Sequence, residues 1–113
     1  MTTLRIENSV TDFHLWKAAF DAYAAVRTRM GVRRWRVTRQ MEDPLHVYVE
    51  LDFDTTGEAA AFAEFLVSKV WRTPRSQAAL ARHHAPVLLM QVESGAVDAT
   101  GAGVVRERPA DRL

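Results

Sequence analysis

Four histidines, two tyrosines and an arginine set among aromatic rings are the side chains of this sequence best suited to chemistry. Histidine titrates near neutrality, so His14, His46, His83 and His84 are the candidates for taking a proton from an acidic carbon or a phenol. His14 falls in the first turn of an expected helix, beside Phe13, facing solvent or a pocket mouth. His46 opens an expected strand just past a turn, where a rim position is the plainer reading. The "HH" at 83 to 84 closes an expected short helix, and helical neighbours diverge by about 100°, so at most one of the pair faces inward. A helix C-terminus also favours protonated imidazole, which is an ordinary structural reason for histidine there. Arg39 shares a strand face with Trp35 and Val37, from which it can offer a cation to a phenolate or oxyanion. The alternative is that it reaches past the sheet end into water. Tyr23 and Tyr48 are further proton donors, Tyr48 being the weaker because its strand face points away from the helices.

An acid–base group needs a wall around it. Trp16, Phe20, Tyr23, Trp35, Val37, Phe62, Phe65 and Trp71 are the candidates, and flat rings suit a planar polycyclic guest through stacking. The simpler reading is that the same rings fill a core. Three tryptophans among 113 residues tilt the group toward a pocket.

Several functional classes are disfavoured by composition. Fifteen Lys and Arg against fourteen Asp and Glu leave a formal charge of +1, too balanced to mark nucleic acid or an anionic membrane as the partner. Without cysteine there is no disulfide, thiolate nucleophile or thiolate metal site. Metal is not expected, because "RHH" lacks the i, i+4 spacing that puts two imidazoles on one helical face. No glycine-rich phosphate loop is present either, and no cofactor is expected. No apolar run approaches the roughly 18 residues that cross a bilayer, and "MTTLRIENS" does not read as a secretion signal, so a cytoplasmic location is expected.

The elements that must position these groups follow from periodicity. Leu4 to Asn8 reads as a short strand. Thr11 or Asp12 can cap a helix running to Met30, along which Phe13, Trp16, Phe20, Tyr23 and Met30 recur at helical spacing, with Gly31 as its stop. "VRRWRVTRQ" and "LHVYVELDF" alternate around the turn "MEDP" and form a hairpin. Its expected register sets Arg34 against Asp52, Trp35 against Leu51, Arg36 against Glu50, Val37 against Val49 and Thr38 against Tyr48, pairing opposite charges on one face. Thr55 and Glu58 make a capping box for a helix over 55 to 71. Thr73 and Pro74 begin a short helix over 73 to 84. "VLLMQVE" is the last strand, expected in the centre of the sheet because it is apolar almost throughout. Residues 1–93 form the expected domain, and 94–113 a flexible or partner-reaching tail with an extra strand at "GVVRER".

Strand, helix, strand, strand, helix, strand is the order of the ferredoxin-like split βαβ, an α+β fold with a four-stranded antiparallel sheet covered by helices on one face. The other face, with Arg34, Arg36, Tyr48, Glu50 and Asp52, has no cover within the chain, so a homodimer through it is expected. On "VTDFHLWKAAFDAYAAVRTRMGVRRWRV", "DPLHVYVELDFDTTGEAAAFAEFL" and "PVLLMQVE", the chain resembles the dimeric α/β barrel superfamily, in particular its small antibiotic biosynthesis monooxygenase-like members, over roughly residues 3 to 93. The resemblance implies a pocket between sheet and helices, and oxidation of an aromatic polyketide or quinone-type molecule by oxygen without a cofactor. Cyclisation or isomerisation in the same pocket, or a non-enzymatic dimeric binding or stress-associated module, are the alternatives. Haem-degrading relatives combine an Asn ending the first strand with a Trp in the second helix and a later His. Asn8 matches the first, but Phe65 stands at the Trp place and neither His83 nor His84 aligns with the ligand, which ranks haem low.

Overall fold

Thr2–Val10 forms β1, the strand from which the sheet is built outward. The structure, a computed structural model, describes residues 1–97 and 104–107. After β1 come helices α1 (Phe13–Ala22) and α2 (Ala24–Arg29), the hairpin strands β2 (Val32–Arg39) and β3 (His46–Phe53), and helix α3 (Thr56–Ser68). A 3₁₀ turn at Val70–Arg72 leads to α4 (Pro74–Ala79), then β4 (Leu80–His83), β5 (Val87–Met90), β6 (Ser94–Val97) and β7 (Val104–Glu107). β1 pairs with β3 on one side and with both β4 and β5 on the other, while β2 pairs with the far edge of β3. All these pairings are antiparallel, which makes the ferredoxin-like sheet with its last strand split in two.

Strand alternation separates two faces. Leu4, Ile6, Asn8 and Val10 of β1 and Val47, Val49, Leu51 and Phe53 of β3 are buried toward the helices. Between them Arg5, Glu7, Tyr48, Glu50 and Asp52 form the outer face. The hairpin register is the expected one at every pair from Arg34 with Asp52 to Thr38 with Tyr48, and it continues to Arg39 with Val47. A one-residue slip would carry Trp35 and Val37 to the charged face, so the apolar pattern and the ion pairs Arg34–Asp52 and Arg36–Glu50 select the same alignment.

Helices α1, α3 and α4 begin where side-chain oxygens hold their free amides. Asp12 Oδ1 accepts from the Leu15 N–H at 3.0 Å, whereas the Thr11 hydroxyl donates to the Ala78 carbonyl at 2.8 Å and so ties α1 to α4. Thr55 Oγ1 accepts from the Glu58 N–H at 3.1 Å, and Thr73 Oγ1 from the Ser76 N–H at 3.2 Å, with Pro74 in the first turn. Gly31, at φ +100°, turns the chain from α2 into β2.

Four expectations are corrected. The first helix is not continuous: Tyr23 leaves helical geometry at ψ 11° and separates α1 from α2. The third helix ends at Ala79 instead of running to His84, because pairing with β1 draws 80 to 83 into a strand against their local helix preference. β1 is longer than expected and central. The segment "VLLM" lies at a sheet edge, not the centre, and all four of its residues are exposed. Beyond it β6 pairs with β7, the latter falling in the segment where an extra strand was expected. Residues 98–103 and 108–113 of the expected tail lie outside the described residues. No helix among the described residues is long and apolar enough to cross a membrane.

Candidate functional site

Between the inner sheet face and the helices lies a cavity of about 70 Å³, space for about two water molecules. Its rings come from three elements. Trp16 and Phe20 of α1 stack at 5.3 Å between centroids. Phe62 and Phe65 of α3 meet edge to face at 5.9 Å, and Tyr23 abuts Phe65 at 6.3 Å. Trp71 closes the wall from the 3₁₀ turn, and the aliphatic side chains of Ile6, Val49 and Leu51 form the floor on the sheet. Phe20, Tyr23 and Phe65 are only half-buried and make the boundary with solvent. Of the expected wall residues, Trp35 and Val37 do not line the cavity; Trp35 is 55% exposed and meets the edge of Phe20 from outside.

Polar groups interrupt this wall at Asn8, Tyr23, Arg27 and Ser76. Asn8 is 3% exposed, and its Oδ1 is buried without a hydrogen-bond partner. Arg27 is 6% exposed. Its guanidinium lies 3.7 Å from the centre of the Phe20 ring and donates to the Phe20 carbonyl, which the break at Tyr23 leaves accessible. Burial lowers the Arg27 pKa from its ordinary value, opposed by the charge of Asp21. Both Asn8 and Arg27 have signals in the sequence. Asn8 falls among the inward positions Leu4, Ile6 and Val10, and Arg27 lies seven residues past Phe20 on the apolar stripe of the first helix, a place where an arginine must be buried or bent away.

The histidines sit elsewhere. Among the described residues, no imidazole and no carboxylate lines the cavity. His14 is exposed on α1 with its ring edge-on to Phe13 at 6.0 Å. His83 is on β4 opposite Asn8, where it stacks on Trp71 at 4.1 Å but remains exposed. His84 follows it on the outer face, its Nε2 4.0 Å from Glu7. The expected placement of both at a helix end is therefore replaced by one ring on each sheet face, as strand alternation requires. Arg39 donates to the Pro44 carbonyl at 2.8 Å and covers Phe13 at 3.9 Å, at the hairpin end and away from the cavity. His46 is also on the outer face, bonded to Glu7 at 2.6 Å and 3.4 Å from the Ser9 hydroxyl. Its bond is the main reason the Glu7 carboxyl is held below the usual carboxylate range; burial opposes it, and the charges of His84, His46 and Arg5 add to it.

Tyr48 shares that outer face, with the Arg5 guanidinium 4.9 Å over its ring.

No protein-family model matches the sequence, and no curated protein matches it significantly. Among solved structures, a provisionally named antibiotic biosynthesis monooxygenase from Nitrosomonas europaea superposes with a TM-score of 0.60 at 20% identity, covering 80% of this chain and 98% of that one. An uncharacterized NIPSNAP domain protein from Burkholderia xenovorans gives 0.59 at 21% identity, covering 81% and 95%. A further antibiotic biosynthesis monooxygenase structure gives 0.51 at 9% identity, covering 81% and 99%. The sheet order and these superpositions agree that the chain has the ferredoxin-like α+β fold of antibiotic biosynthesis monooxygenase and NIPSNAP domain structures.

Proposed function

We propose that this chain is a monooxygenase-like enzyme that oxidises an aromatic polyketide or quinone-type molecule in the cavity between sheet and helices, using oxygen and no cofactor. The observation that carries the reading is the cavity itself, ringed by Trp16, Phe20, Tyr23, Phe62, Phe65 and Trp71 and interrupted by a few polar groups. A fold shared with proteins named antibiotic biosynthesis monooxygenases supports it. In such a reaction an activated ring methylene becomes a carbonyl. The substrate supplies four electrons, one oxygen atom enters it and the other leaves as water. The ionised substrate gives the first electron to oxygen, so the protein's task is to hold the guest and favour its ionised form. With no histidine in the wall, that task falls to Tyr23, Arg27 and Asn8 in place of His14, His83, His84 or Arg39. The cavity is smaller than the roughly 150 Å³ that takes a single benzene ring, so entry of an aromatic guest requires Phe20, Tyr23 and Phe65 to move outward. The outer sheet face pairs with a second copy of the chain.

Oxygen uptake with anthrone substrates in metal-free buffer, with one quinone formed per oxygen consumed, is the expected result. Product formed equally without oxygen selects cyclisation or isomerisation instead. A specific observation favours a binding module as the second reading: among the described residues no carboxylate or imidazole lines the cavity. Saturable binding of the same compounds without any product would establish that reading and overturn the enzyme.

A further inference from the structure

A buried cation with no anion beside it asks what completes it. The Arg27 side chain is 6% exposed, and among the described residues no carboxylate lies within ion-pair distance of it. Asp21, whose charge it feels, instead binds Lys17 at 2.6 Å in an exposed pair. One N–H of the guanidinium goes to the Phe20 carbonyl and one of its faces to the Phe20 ring, with Trp35 at 5.9 Å. Such contacts offset part of the cost of burying the charge, but guanidinium has five donors in a fork that matches an oxyanion. The remaining wall of the cavity is overwhelmingly apolar, which strengthens any charge pairing inside it. Asn8 Oδ1, buried in the same wall and lacking a donor, is a second unmet demand.

We propose that Arg27 selects guests that carry an ionised oxygen, so that the cavity takes hydroxylated aromatics as phenolates or enolates, with a second hydroxyl available to donate to Asn8 Oδ1. The inference rests on the cavity being the binding site proposed above and names the class of molecule it takes. It also supplies what the displaced histidines do not. A cation facing the guest lowers the guest's own pKa, so that ionisation needs no protein base in the wall.

4-Nitrophenol tests this directly, because its phenolate absorbs visible light and its neutral form does not. Burial alone raises the pKa of a phenol, whereas a facing cation lowers it. Titration of the probe bound to the full chain is expected to give a pKa about one unit below that of the free probe, a roughly tenfold preference for the phenolate. Arg27→Gln is expected to reverse the shift, Arg27→Lys to keep part of it, and Arg36→Gln on the outer face to leave it intact. A bound pKa equal to or above the free value, failure of the probe to bind, or a shift that survives Arg27→Gln overturns the proposal. The wild-type titration decides by itself if the variant does not fold. Oxygen uptake is not read in it: a lowered pKa without turnover fails the oxygenase reading alone, and turnover with a raised pKa fails charge selection alone.

Discussion

Glu7, His46 and His84 on the outer face show how single side chains outside the cavity still set the protein's response to pH. Glu7 is held below its ordinary value of 4.5, first by the hydrogen bond from His46. A carboxyl whose pKa is depressed on folding contributes stability above its unfolded pKa, and that contribution is lost as pH falls through the folded value. Thermal melting followed below pH 4.5 should therefore fall more steeply for the wild type than for Glu7→Gln, the two curves converging as pH falls and keeping a constant separation just above that pH. Inside the core, Phe62 is buried against Phe53 at 5.8 Å and Phe65 at 5.9 Å. Phe62→Ala removes those contacts beside an existing void, and urea denaturation should show a loss of about 3 kcal/mol. Asn8 and Arg27 carry the polar character of the site, and each was legible as a polar residue at an apolar phase of its element. The orientation of His83 and His84 was not legible, because the phase of a short segment cannot be read until it is known to be a strand or a helix.

Among the elements, the junction of α2, β2 and α3 concentrates local sequence instructions. Thr55 caps α3, and the side chain of Glu58, which accepts from the Thr55 hydroxyl at 3.2 Å, passes over Gly31. A Cβ at Gly31 would stand 2.5 Å from Glu58 Oε2 and would sit on a residue at φ +100°. Thr55→Ala should cost about 1 kcal/mol in urea denaturation. Gly31→Ala should cost about 1 to 2 kcal/mol from backbone strain alone, and more once Glu58 is displaced from its cap. The hairpin register, the helix starts and the Gly31 stop were readable because each is fixed by residues close in sequence. The division of the first helix at Tyr23 was not, since apolar periodicity runs through the break, and only the buried Arg27 side chain reaching back to the Phe20 carbonyl reveals it.

For the whole molecule, the open question is the outer sheet face. Val87 and Leu89, 50% and 38% exposed, stand opposite Arg5 and Thr3 beside the paired charges of the hairpin. A second copy would bring the same mixture of apolar and complementary charged groups to a twofold contact. Sedimentation should give a dimer for the wild type and a monomer for Leu89→Glu, with the helical content of the two unchanged; a wild-type monomer at high concentration removes the pairing from the proposal.

The core order of strand, helix, strand, strand, helix, strand, the capping residues and the hairpin register were determined by the sequence alone, because periodicity, capping oxygens and cross-strand charges act over short separations. The split of the last strand, the edge position of "VLLM" and the absence of histidine from the cavity were decided only by the tertiary structure. Segments 75 residues apart had to meet, as β1 and β4 do across Asn8 and His83, before it was settled which polar groups share a space.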